Sequence, residues 1–388
     1  MAKRLGITLV ILMLAGAVFF FGFLPGMFDR SMNGLQRDIP LPVVSEEAQA
    51  LHQSLFVADM HADPLLWKRD LVEEHDYGHM DLPRLQAGNV GLQVFGSVTK
   101  TPANQNYESN PSDTDMITYL AIGNAQPVRT WTSLFERSVF HADKLEDLQR
   151  RSGGALQVIT DREGLDLLVR SREEGGAVIG AMLGLEGAHA IEGDIANLDG
   201  LFEAGYRVVG LVPFFDNEVA GSMHGEEKYG LTPLGRDVVA RAESMGMTVD
   251  LAHASVVAVS DVFDIATRPV VVSHGGVRAV CDFNRNLTDD QLLRLKENGG
   301  VIGIGYWDAA VCDSMPAGIV KAMNHVRDLI GIEHVGLGSD FDGAVTTRFD
   351  TSELAVLTQA LMDEGYSEED IRAVMGGNVQ RVLRANLP

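Results

Sequence analysis

A parallel (β/α)8 barrel of the TIM type is the fold class this sequence predicts, on three observations. Eight short apolar runs recur, at 55–58, 90–98, 177–185, 206–212, 247–251, 269–272, 300–306 and 334–337. They are nearly continuous rather than alternating, which suits strands buried on both faces in a parallel sheet. Segments of helical composition separate them, such as 232–245 and 289–298, and repeated strand–helix units build α/β folds. Eight units point to closure into a barrel, with an open doubly wound sheet as the alternative. The third observation is chemical. His61, Asp63, Glu186, His253, His274 and Asp340 follow five of the runs.

The N-terminus differs in composition. Lys3 and Arg4 precede an apolar stretch over 5–24, and no charge follows until Asp29. Roughly 20 apolar residues span a bilayer, whereas a cleaved signal usually has an apolar core of about 7–15. The length therefore predicts a retained transmembrane anchor; Ala15-Gly16-Ala17 keeps a cleaved signal as the alternative. Positive charge stays on the cytoplasmic side, so the chain beyond the anchor is expected at the periplasmic or extracellular face. The expected organisation is an anchor over 1–28, a polar linker over 29–45 and a catalytic domain over 46–388.

A length of 388 residues suits one barrel rather than several small domains. With 54 acidic against 31 basic residues, the net charge of −23 disfavours nucleic acid and anionic headgroups as partners, and no nucleic acid is expected. The two cysteines, Cys281 and Cys312, fall in loops after consecutive predicted strands, and in an exported chain they can pair. No phosphate-binding G-x-x-x-x-G-K-[ST] loop and no G-x-S-x-G elbow is present.

Active sites of such barrels lie at the C-terminal ends of the strands, so the six polar residues are expected to converge there. Imidazole nitrogen and carboxylate oxygen suit zinc and related divalent ions. Alternation along an extended strand puts His61 and Asp63 on one side. One histidine after a strand is ordinarily structural; a set of six residues at five strand ends is not explained that way. The polar, turn-rich stretch 100–115 either covers the barrel mouth or is a surface excursion. His52, His75, His79, His141, His325 and His334 have no second ligand at metal spacing and read as surface or structural.

Here the motifs become specific. Val57-Ala58-Asp59-Met60-His61-Ala62-Asp63 resembles the opening His-x-Asp motif of the membrane (renal-type) dipeptidase family. Leu185-Glu186-Gly187-Ala188-His189 is similar to its bridging-glutamate motif, and Asp250-Leu251-Ala252-His253 to its first lone histidine. Ser273-His274 followed by Arg285-Asn286 resembles the second histidine and the substrate arginine, and Asp340-Phe341-Asp342-Gly343 the late signature. The resemblance implies two divalent ions, zinc above all, with His61 and Asp63 on one, His253 and His274 on the other, and Glu186 bridging them. It implies a shared water made acidic enough to attack a dipeptide carbonyl as hydroxide. Asp340 would carry the proton to the departing amine, and the planar fork of Arg285 would hold the free carboxylate. The family's disulfide corresponds to Cys281 and Cys312. The partners expected are a small peptide and, through the anchor, a membrane, with a homodimer left open.

One position departs from the family. Where the family carries a histidine beside the substrate carbonyl, after the fourth strand, this chain has Pro213, which offers neither a side-chain proton nor an N–H. His224 in the following loop either reaches back or is an ordinary loop residue. Two rival functions stay open: a binuclear hydrolase of another amide, lactam or ester, and a catalytically weak binding protein.

Overall fold

The computed structural model of the protein describes residues 2–388. The flanking cation Lys3 lies outside the residues whose side chains are described. Among the described residues, eight parallel strands form the barrel: β1 (Val57–Ala62), β2 (Val90–Val98), β3 (Ile179–Glu186), β4 (Tyr206–Gly210), β5 (Thr248–Asp250), β6 (Val271–Gly275), β7 (Val301–Ile304) and β8 (Val335–Leu337). Each corresponds to one of the eight apolar runs, and every residue in them is buried. Each strand pairs with the next, and β8 returns to β1 through Leu337 opposite Asp59, which closes the barrel.

The longest ladder joins β2 to β3, from Leu92 opposite Gly180 to Val98 opposite Glu186. On its other edge β3 is shared. A short strand, Leu156–Val158, takes its first residues and β4 takes its later ones. That ninth strand is three residues long and carries no clear run in the sequence.

Helices wrap the outside. Pro233–Met245 starts where Thr232 accepts the Gly235 N–H at 3.0 Å, and Pro233 fits the first turn because its missing N–H would have no partner there. Asp289–Asn298 opens with a capping box formed by Thr288 and Gln291. Both match the segments expected to be helical. Cys281 and Cys312 are bonded to each other, tying the loop after β6 to the short helix after β7.

At the N-terminus a helix over Arg4–Met32 is long and apolar enough to cross a membrane. The segment that joins it to the barrel lies against the body. Gly34–Leu35 pairs in parallel with Thr346–Thr347, and Arg37 makes a two-pronged contact with Glu353 at 2.8 and 2.6 Å.

Candidate metal centre and active-site cleft

The six positions that follow the runs meet at the C-terminal rim of the barrel. His61 lies on β1 and Asp63 just past it; Glu186 is the last residue of β3; His274 lies on β6. His253 and Asp340 stand three residues beyond β5 and β8, in the left-handed region at φ +65° and +58°. Neither is glycine or asparagine, so the surrounding loops hold conformations that an L side chain ordinarily avoids.

Glu186 is the centre of the arrangement. Its Oε2 lies 3.0 Å from His61 Nε2, and its Oε1 lies 3.3 Å from His253 Nε2. One carboxylate thus presents an oxygen to each of two histidines on opposite sides. His61 Nε2 is also 3.3 Å from Asp63 Oδ2, and His253 Nε2 is 3.0 Å from His274 Nε2. Donor atoms of His61, Glu186 and His274 lie within 4.8 Å of one another, as do those of His61, Asp63 and Asp340. Room for the cluster comes partly from Gly96 on β2, where a Cβ would sit 2.1 Å from Asp63 Oδ1.

The donors fit divalent cations. All are buried, yet Asp63 Oδ1 has no hydrogen-bond partner among the described residues, and such an atom is costly unless something positive meets it. Burial raises the Asp63 carboxyl to about 6, with His61 opposing and Glu186 adding to the rise. Burial likewise raises Asp340 well above the usual range, against His61 and with Asp63. Burial works against the charge of Glu186 too, but hydrogen bonds from His253 and His61 hold it below the usual range. Three carboxylates and three imidazoles crowded in a dry site repel or compete until cations of higher charge bind.

Two buried acids set the histidines' geometry, and the sequence reading gave them no role. Asp250 at the end of β5 accepts from Ser273 Oγ at 2.5 Å; Ser273 Oγ then has only a lone pair to offer His274 Nδ1, 2.9 Å away. His274 must therefore carry its proton on Nδ1, which leaves an Nε2 lone pair for the centre. Asp59 on β1 accepts from the N–H of His61 at 3.1 Å and of Ser339 at 3.0 Å, linking β1 to the loop that carries Asp340. Their signal in the sequence was a charge inside or directly after an apolar run, at a buried strand position.

Arg285 is buried and donates to the His274 carbonyl through Nη2 at 2.8 Å, while its Nη1 has no partner among the described residues. It stands over the Trp307 ring at 5.6 Å and borders the same cleft as Asp340. The stretch 100–115 does cover the mouth: the Tyr107 ring packs on Phe214 and Phe283, and its hydroxyl accepts from Trp307 Nε1 at 3.1 Å.

His224 reaches back. It stacks on Phe214 at 4.5 Å and meets His253 edge-on at 5.5 Å. Its Nδ1 lies 2.9 Å from the Tyr107 carbonyl, which can only accept, so Nδ1 holds the proton and Nε2 is a lone pair. Burial and the nearby His253 push its pKa well down, so it stays neutral. His189 pairs with Thr99 at 2.9 Å, and Asp342 pairs with Arg69 at 2.7 Å.

This geometry has relatives. Residues 45–387 match the family described as membrane dipeptidase, peptidase family M19. The chain is 32% identical to dipeptidase aclJ of Aspergillus oryzae over 351 residues, 84% of this chain and 77% of that protein. It is 27% identical to dipeptidase 3 of Mus musculus, covering 88% of this chain and 67% of that one. The crystal structure of the dipeptidase AC, a metallopeptidase of family M19, superposes with a TM-score of 0.71 at 26% identity, covering 86% of this chain and 99% of that chain. The chain therefore belongs to the membrane dipeptidase family, M19, and is a metal-dependent dipeptidase.

Proposed function

We propose that the protein hydrolyses dipeptides with free ends at a centre of two divalent ions of the zinc class. His61 and Asp63 would hold one, His253 and His274 the other, and Glu186 would bridge them. The observation that carries this reading is Glu186, whose two oxygens lie 3.0 Å from His61 on β1 and 3.3 Å from His253 in the loop after β5. When bound, the ions supply a Lewis acid for the carbonyl and lower the pKa of a water toward neutrality.

The chain's own residues do the rest. Asp340, buried beside His61 and Asp63 at the cleft, takes the proton from the attacking water and delivers it to the departing amine. The free Nη1 of Arg285 receives the substrate carboxylate in a charge-assisted hydrogen bond, which its burial strengthens. Tyr107 and its loop limit water and substrate length. Pro213 supplies no proton, and His224, protonated on Nδ1, presents a lone pair instead. That pairing favours a second reading, hydrolysis of a related amide, lactam or ester. The apolar stretch 5–24 is proposed as a retained anchor, with Lys3 and Arg4 on the cytoplasmic side and residues 46–388 as an exported catalytic body.

Metal analysis of the purified full chain, coupled to turnover of dipeptides and tripeptides before and after chelation, tests the proposal. Two ions per chain, loss of activity on chelation and rejection of tripeptides are expected. A folded protein that never takes up divalent ions, or equal cleavage of tripeptides, refutes it.

A further inference from the structure

The apolar N-terminal helix ends against the active-site mouth, and its backbone shows how it is held. Pro25 has no N–H, so the carbonyl of Phe21, four residues earlier, loses its helical partner. The helix widens to π geometry over Phe19–Phe23, and Lys68 Nζ donates to the Phe21 carbonyl at 2.7 Å. One turn further on, Asp29 is buried and accepts from Arg69 Nε and Asn33 Nδ2, each at 2.8 Å. Arg69 also reaches Asp342 at 2.7 Å, and Asn33 Oδ1 accepts the Ala344 N–H at 2.9 Å. The end of the helix is thereby fastened to the loop that carries Asp340.

This fastening builds one side of a cleft. A cavity of about 620 Å³ extends outward from Arg285 and Asp340, and Phe20, Leu24 and Phe28 of the helix line it. From the barrel side Tyr107, Phe214 and Trp307 line it too. The volume lies in the range of about 300–1,000 Å³ typical of small-molecule sites. Leu24 and Phe28 stay 39% and 48% exposed although they are large and apolar, so this wall lacks a covering partner.

We infer that the N-terminal helix is part of the substrate site, and that the site prefers dipeptides carrying one large apolar side chain, aromatic or branched aliphatic. The inference rests on the reading above that the centre hydrolyses dipeptides. The converging donors and Arg285 account for the polar backbone and carboxylate of such a substrate, leaving the apolar part of the cavity for a side chain. A phenylalanine or leucine side chain leaves water there at a gain. A polar side chain would lose its hydrogen bonds to water against Phe20, Leu24 and Phe28. The anchor then does more than tether: it places the specificity wall at the membrane surface.

The test uses the full chain in phosphatidylcholine nanodiscs, loaded with zinc. For each variant, kcat/KM is measured on Phe-Ala, Ala-Phe and Ala-Ala, and the ratio of the better phenylalanine dipeptide to Ala-Ala is taken. The ratio is internal to each preparation, so partial unfolding does not move it. Wild type should prefer phenylalanine at least tenfold. The double variant Leu24→Ala, Phe28→Ala should lose about tenfold of that preference, and Leu12→Ala, on the membrane part of the helix, should leave it within twofold. No preference in wild type, or a double variant within twofold of wild type, overturns the inference; a lipid acyl chain filling the wall would give that second result. If wild type cleaves no dipeptide, the hydrolytic reading fails on its own. Binding then decides the present inference: quenching of tryptophan fluorescence by reduced, uncleavable Phe-Ala and Ala-Ala isosteres should show Kd for the former at least fivefold weaker in the double variant, and unchanged Kd overturns it.

Discussion

Replacing Arg69 by methionine isolates the contact that joins the N-terminal helix to the active-site loop. Arg69 lies between Asp29 and Asp342, at 2.8 and 2.7 Å, with all three side chains at most 1% exposed. Methionine keeps most of the apolar stem and removes the cation, leaving two carboxylates buried. Breaking a buried pair by removing one partner costs about 3–5 kcal/mol, because the other charge is left uncompensated. The total should stay within that range rather than double. Asp342 keeps the His79 N–H at 2.7 Å, and Asp29 keeps Asn33 at 2.8 Å. At about 2.1 cal/mol/K per residue, a body the size of 46–388 loses roughly 1.4 °C per kcal/mol, so Tm should fall by about 4–7 °C. Calorimetry of the full chain in detergent measures it. Adding Asp29→Asn and Asp342→Asn removes the stranded charges and should restore at least half of the loss. A fall below about 1 °C for Arg69→Met, or no recovery in the triple variant, would show that the buried arginine does not hold the two carboxylates together.

Three further outcomes are expected. Asp340→Asn should lower kcat by about 10²–10⁴ while metal content stays at the wild-type level; metal analysis showing loss of an ion would instead make Asp340 a ligand. Pro213→His should raise turnover on a dipeptide by about tenfold or more, since it adds a donor near the carbonyl; unchanged or lower kcat would count against a missing donor. His141 is held at about 3 by burial and by the charges of Lys144 and Arg137, whereas an unfolded histidine titrates near 6.5. Below pH 6.5 the unfolded chain therefore binds a proton that the folded chain refuses. That contribution is complete above about pH 6.5 and is lost as pH falls toward 3. Tm of His141→Gln should drop less than that of wild type between pH 7 and 4.5, and equal drops would contradict the assignment.

Much of the barrel was legible because each strand is short, apolar and buried on both sides, a pattern local to a few residues. His61, Glu186 and His274 were legible for the same reason, since a polar residue at the end of such a run is conspicuous. Asp59 and Asp250 were not. Each sits inside a buried strand, and its purpose appears only when Ser339 or Ser273 arrives from a neighbouring segment. His224 and Tyr107 stand 117 positions apart in the chain, and neither has a local signal for meeting the other. Asp29 looked like the polar end of an apolar stretch; its burial depends on Arg69, 40 residues on. The strand Leu156–Val158 is too short to leave a pattern and exists because β3 has an edge to fill.

The bond between Cys281 and Cys312 has a consequence for where the enzyme can mature. Cys281 begins the turn that delivers Arg285, and Cys312 closes the helix that follows Trp307. Asn286 adds to this stitch by donating to the carbonyls of Cys281 and Ala310, at 2.8 and 2.9 Å. Arg285, the proposed partner of the substrate carboxylate, and the Trp307 ring are thus carried on segments joined covalently, by chemistry that a reducing cytosol does not sustain. For the exported chain proposed above, this stitch between the Arg285 turn and the Trp307 helix would close only after arrival in an oxidising compartment.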